Sequence, residues 1–165
     1  MKIVIETIPH DQHRYPTVGD WYFKLRNPDG TESPLTDAGI IPIHELLASD
    51  NYVLYIKVSK LSDWKREFLI VMHELAEVGQ CVNDGVSQAT VDAFDMGFEH
   101  EREAKTLNAN ATAEERVFAD IAEPGDQPNA PYAKQHCFAT AIERMLAAAM
   151  GVSWSEYETE LEALP

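Results

Sequence analysis

Hydrophobic and polar positions change rhythm once along the chain. Before about residue 60, apolar residues alternate with polar ones or gather in short β-branched runs. Lys2 to Ile8 alternates in this way and predicts a strand, Trp21 to Leu25 a second, and Tyr52 to Val58, dense in Val, Tyr and Ile, a third. Asn27-Pro28-Asp29-Gly30 is a turn signal. Pro34 to Ser49 reads as irregular, with a short helix at Ile43 to Ala48.

Beyond Ser59 the period becomes helical. Phe68, Leu69, Met72, Leu75 and Val78 recur at helical spacing and predict a helix from Trp64 to Val82. Ser62 or Asp63 caps it and Asn83-Asp84-Gly85 ends it. Ser87 caps a second helix, Gln88 to Glu103, and Thr112 with Glu115 forms a capping box for a short third helix to about Ile121. Glu123 to Pro131, with three prolines and a glycine, reads as a loop. Tyr132 to Met150 is an Ala-rich helix stopped by Gly151, and Ser153 with Glu156 opens a last short one. Strands first and helices afterwards predict an α+β fold: one domain over 1–165, β-rich to residue 60 and helical from 61, in which a small antiparallel sheet packs on a helix.

That first long helix carries the candidate chemistry, His73-Glu74-Leu75-Ala76-Glu77. Side chains at i and i+4 lie one turn apart on one face, so His73 and Glu77 are placed to share a divalent ion, and Cys81 continues the same face. An imidazole and a carboxylate both suit zinc. Glu74, about 100° round the helix from His73, is placed to take a proton from water activated by the ion. Such a site needs a third protein ligand. Asp92, Asp95 and Glu99 share a face of the second helix, and a helix–Gly–helix turn brings Asp95 back toward His73. Asp95 is therefore the expected third ligand, with Asp92, Glu99 and His136 as the other candidates, and Glu99 is expected to hold the His73 ring. His136, Thr140 and Glu143 line one face of the Ala-rich helix. His136 and Tyr132 are candidate donors to a developing oxyanion. A second His-Glu-Leu at His44 to Leu46 has Ala48 at its fifth position and reads as coincidence.

The string His73 to Glu77, then Gly85, then a helix bearing Asp95 and Glu99, resembles the zincin metallopeptidases. It is most similar to the gluzincin branch, in which a His-Glu-x-x-His helix is followed about twenty residues later by an acidic ligand. A strand before the helix, as Tyr52 to Val58 is here, also fits. The resemblance covers roughly residues 50 to 103 and extends to small zincin-like proteins of phages. It departs at Glu77, where the family has histidine. It implies a metal-dependent hydrolase attacking a peptide or amide carbonyl, with Glu74 and His136 catalytic and His73, Glu77 and Asp95 holding zinc. Magnesium or manganese is the alternative, because a carboxylate ligand weakens the ion's acidity.

Charge narrows the partners. Twenty-eight acidic residues against 13 basic ones give a net charge of -15 and exclude nucleic acid and anionic membrane surfaces as binding partners. A peptide or small-molecule substrate is expected, or a protein with a basic surface. Two further readings follow. Glu74-x-x-Glu77 with Asp92-x-x-Asp95 echoes the all-helical nucleotide pyrophosphohydrolases, whose acidic pairs hold Mg²⁺. The acidity alone suits a non-enzymatic phage or mobile-element factor that covers a basic surface. Two cysteines, Cys81 and Cys137, and a start that turns polar too soon for a signal peptide point to a cytoplasmic setting with free thiols.

Overall fold

The computed structural model describes residues 2–35, 50–107 (backbone alone at 105–107), 112 and 123–164. The expected short helix at Ile43 to Ala48, all but the first residue of the one expected from Thr112 to Ile121, and the second His-Glu-Leu fall outside the described residues.

The fold is α+β, with a four-stranded sheet packed on a helix and a helical C-terminal half. The strands are β1 (Lys2–Ile8), β2 (Gly19–Arg26), β3 (Glu32–Pro34) and β4 (Tyr52–Ser59), ordered β1-β4-β2-β3. Asn27 to Gly30 makes the β2–β3 turn, with Gly30 N–H donating to the Asn27 carbonyl at 3.0 Å and Gly30 at φ 84°. β2 pairs antiparallel with both β3 and β4. β1 instead runs parallel to β4, from Lys2 opposite Val53 to Ile8 opposite Ser59, so the sheet is mixed rather than antiparallel throughout. Alternation reports which face a residue takes; it is silent on the direction of the neighbouring strand.

One face of the sheet builds the core. Trp21 and Phe23 of β2 and Leu54, Ile56 and Val58 of β4 pack on Leu69, Ile70, Val78 and Cys81 of α1 (Trp64–Asp84). Tyr22 and Tyr55 stack on the opposite face, 5.3 Å between ring centroids. α1 begins where its cap predicts: Asp63 accepts from the Lys65 N–H at 3.0 Å. It ends at Gly85, whose φ of 77° favours glycine. Ser87, at 3.2 Å from the Thr90 N–H, opens α2 (Gln88–Leu107). α3 (Ala133–Met150) ends at Gly151, φ 68°. α4 (Trp154–Glu162) follows Ser153, whose side chain makes no capping hydrogen bond.

The packing partner of α1 decides the site. α3, not the sequence-adjacent α2, lies along it. The polar pairs between them run antiparallel: Lys65 Nζ donates to the Met150 carbonyl at 3.1 Å, His73 meets Glu143, Glu77 meets His136, and Gln135 and Lys134 reach Asp84 at 2.7 and 3.1 Å. No helix among the described residues is long and apolar enough to cross a membrane.

Candidate metal centre

His73 and Glu77 lie on the buried face of α1, as their i, i+4 spacing predicts, and are 8% and 5% exposed. The third group that meets them is His136, from the first turn of α3 and 7% exposed. His73 Nε2 to His136 Nδ1 is 3.2 Å, His136 Nδ1 to Glu77 Oε2 is 3.0 Å, and His73 Nε2 to Glu77 Oε2 is 3.6 Å. A tetrahedral zinc with bonds of about 2.0 Å sets its ligand atoms about 3.3 Å apart. The three edges define a circle of about 1.9 Å radius, so an ion a normal bond length from each atom fits slightly to one side of their plane. The residues present therefore fit a divalent ion in size and in donor chemistry.

What surrounds the triangle supports the same use. A histidine ligand usually turns its second nitrogen to a carboxylate, which fixes the ring and the tautomer. His73 Nδ1 is 2.8 Å from Glu143 Oε2, and the buried Tyr157 hydroxyl donates to Glu143 Oε1. His136 Nε2 is 3.5 Å from both Glu123 and Asp126. The loop carrying those two carboxylates approaches closely because Gly125 has no side chain: a Cβ there would stand 2.3 Å from His136 Cγ. Glu77 uses its other oxygen, Oε1, to accept from Trp21 Nε1–H at 2.9 Å. Each member of the triangle thus offers one atom inward and is held from behind through another.

Electrostatics follow from these contacts. Burial would lower His73 and His136, but the carboxylates outweigh it and hold both above the ordinary imidazole value: Glu143 and Glu77 for His73, Asp126, Glu123 and Glu77 for His136. The two rings face each other, with 3.2 Å between His73 Nε2 and His136 Nδ1. Burial would raise Glu77, yet its contacts with His136 and His73 keep it below the usual carboxylate range. Glu74 goes the other way. Burial, and then the like charge of Glu77, push it well above that range. Its carboxylate has no hydrogen-bond partner among the described residues and opens into a cavity of about 660 Å³ that His73, Glu77 and His136 also line. Gly19 on β2 leaves space for Glu74; a Cβ at that position would sit 2.2 Å from Glu74 Oε1.

The other expected ligands are engaged elsewhere. Asp95, the expected third ligand, is outside both groups of mutually close ligand atoms among the described residues. It accepts instead from the hydroxyls of Tyr132 and Tyr15, the latter at 3.1 Å. Tyr132 accordingly spends its proton on Asp95 rather than standing free as an oxyanion donor. Asp92 pairs with Arg14 at 3.0 Å, and Glu99 pairs with Arg102. Glu143 occupies the position beside His73 at which Glu99 was expected. Cys81 is fully buried among apolar residues, and His10 and His13 converge on the Ser59 hydroxyl at 2.9 and 3.1 Å. Sequence reasoning had placed His136 and Glu143 on one helical face, seven residues apart. It missed Glu143 behind His73 and Trp21 behind Glu77, because neither spacing nor composition pairs residues 70 or 56 positions apart.

Comparison with protein-family models, with curated proteins and with solved structures finds no match.

Proposed function

We propose that the protein is a metal-dependent hydrolase, zincin-like in its chemistry, acting on a peptide or amide carbonyl. His73, Glu77 and His136 would hold the ion, and the observation that carries the reading is the triangle their ligand atoms make, with edges of 3.0 to 3.6 Å. Two imidazoles and one carboxylate suit zinc in a catalytic site with an open position. The same donors also hold iron(II), and manganese or magnesium becomes more competitive as carboxylates replace imidazoles. When bound, such an ion acidifies water and polarises a carbonyl.

The chain's own part is positioning and proton transfer. Tyr157 and Glu143 fix the His73 ring, Glu123 and Asp126 flank His136, and Trp21 orients Glu77. Glu74, buried beside the triangle, has its affinity for a proton raised by burial and by the like charge of Glu77, which favours it as the proton acceptor. It lines the cavity in which a substrate carbonyl would lie, and there it would take the proton of the attacking water and hand it to the leaving nitrogen. Trp21, Tyr132 and Tyr157 are among the walls of that cavity.

The pyrophosphohydrolase reading needs Glu74, Glu77, Asp92 and Asp95 to converge on one ion, and no arrangement among the described residues favours it, since Asp92 and Asp95 are held by Arg14 and by tyrosines. The interaction-protein reading is separated by experiment. Zinc-loaded wild type should cleave members of a peptide and amide library, and Glu74→Gln should keep its ion while turnover falls by roughly 10²- to 10⁴-fold. Equal activity in Glu74→Gln, or none in wild type across the library, would remove the hydrolytic reading.

A further inference from the structure

Asp95 lies in the wall of the cavity that carries the triangle, and its surroundings are those of a binding group. It is 6% exposed. Oδ1 accepts from Tyr132 and Oδ2 from Tyr15, and among the described residues it forms no ion pair. The neighbouring cation, Arg14, is committed to Asp20 and Asp92. A carboxylate withdrawn from water without a cation is unfavourable. Burial pushes Asp95 up to about 7, with Glu77 and Asp92 adding to it and the two tyrosines opposing. An ionised carboxylate accepts about four hydrogen bonds. Two are in place, so each oxygen has an acceptor direction left.

The walls beside it are aromatic and acidic. Tyr15, Trp21 and Tyr132 line the cavity, and aromatic rings beside a buried carboxylate favour organic cations. Glu74, more than nine-tenths buried and without a hydrogen-bond partner among the described residues, opens into the same space. A recessed carboxylate that accepts from two tyrosine hydroxyls, in an aromatic-lined cavity large enough for an extended side chain, is the chemistry that recognises an ammonium or a guanidinium.

We infer that Asp95, with Tyr15 and Tyr132, forms a subsite for the cationic side chain of a basic substrate, lysine- or arginine-like. This names a substrate class for the hydrolytic site and rests on that reading for the fate of the substrate; its binding is independent of turnover. Asp95 is a specificity residue here and touches no reacting atom.

The test is equilibrium binding to the zinc-loaded protein of three probes that are not cleaved on the time scale of the measurement: Nα-acetyl-lysine methylamide, its norleucine isostere and its glutamate counterpart. Wild type should bind the lysine probe at least tenfold more tightly than norleucine, and glutamate most weakly. Asp95→Asn should erase the difference between lysine and norleucine while its zinc content stays at the wild-type level. Equal binding of lysine and norleucine by wild type overturns the subsite, and so does a lysine preference that survives in Asp95→Asn. Should Asp95→Asn fail to fold, the wild-type comparison decides alone. A lysine preference in a protein that hydrolyses nothing would sink the hydrolytic reading and keep the subsite. Zinc-dependent hydrolysis with no charge preference would do the reverse.

Discussion

Replacing Gly125 with alanine adds one methyl group and alters none of the three proposed ligands, yet it should loosen the proposed metal centre. Gly125 is not at a positive φ, so alanine fits its backbone and the effect is steric. The new Cβ would stand 2.3 Å from His136 Cγ and 2.5 Å from His136 Nδ1, the atom that faces Glu77 and His73. Ordinary contact begins at 3.4 Å, so ring and turn must separate by about 1 Å. A metal ligand tolerates about 0.2 Å. If the ring yields, a ligand is lost. If the turn yields, Glu123 and Asp126 leave His136 Nε2, and losing such supporting contacts costs about 10- to 100-fold in metal affinity, about 1.4 to 2.7 kcal/mol. The smaller loss is the floor, so Gly125→Ala should weaken zinc at least tenfold in competition with a chromophoric chelator. Overpacking should also lower stability by about 1 to 3 kcal/mol. Gly79→Ala on α1 is the control: among the described residues no atom outside its own helix lies within 4 Å of the added Cβ, so zinc affinity should not change. Gly125→Ala binding zinc within twofold of wild type would refute the argument.

Three further outcomes follow from the same contacts. Glu143→Gln keeps the shape but removes the charge behind His73, and chelator competition should show zinc affinity down by about 10- to 100-fold. A divalent ion must displace the protons that the surrounding carboxylates hold on His73 and His136, so zinc affinity, measured by the same competition, should rise at least tenfold per pH unit from pH 5 to 8; a flat profile would contradict the raised basicity of the two rings. In the metal-free protein the sign reverses. Both imidazoles are raised on folding, so their contribution is whole below the unfolded value near 6.5 and is lost as pH rises through the raised folded values; chelated protein should melt at a lower temperature at pH 10 than at pH 6, unless that raised basicity is absent.

Much of the architecture was legible because it is written locally. Lys2 to Ile8 is a strand over the range its alternation predicts, and Trp64 opens a helix behind the Asp63 cap that runs to the glycine expected to stop it. β3, only three residues from Glu32 to Pro34, was invisible, since a strand so short and polar exists by pairing with β2. The centre divides in the same way. His73, Glu74 and Glu77 could be read from one helical turn, because the helix itself fixes their relation. For the third group spacing offered Asp92, Asp95, Glu99 and His136 and could not choose among them. A glycine turn after α1 suggested that α2 folds back along it, whereas α3 packs there, and helix order in sequence does not encode which face is buried. That packing sets His136 beside His73 and Glu77, and Glu143 behind His73, where Asp95 and Glu99 were expected. The parallel pairing of β1 was hidden for the same reason: it depends on a partner some fifty residues away.

The claim beneath all of this is that an imidazole from α3 completes the site begun on α1. Elemental analysis of zinc-loaded, exhaustively dialysed protein tests it directly, with wild type, His136→Ala and Asp95→Asn side by side. The account predicts about one divalent ion per chain in wild type and in Asp95→Asn, and a loss of most of it in His136→Ala. A metal-free wild type, or an ion kept by His136→Ala and lost by Asp95→Asn, would contradict it.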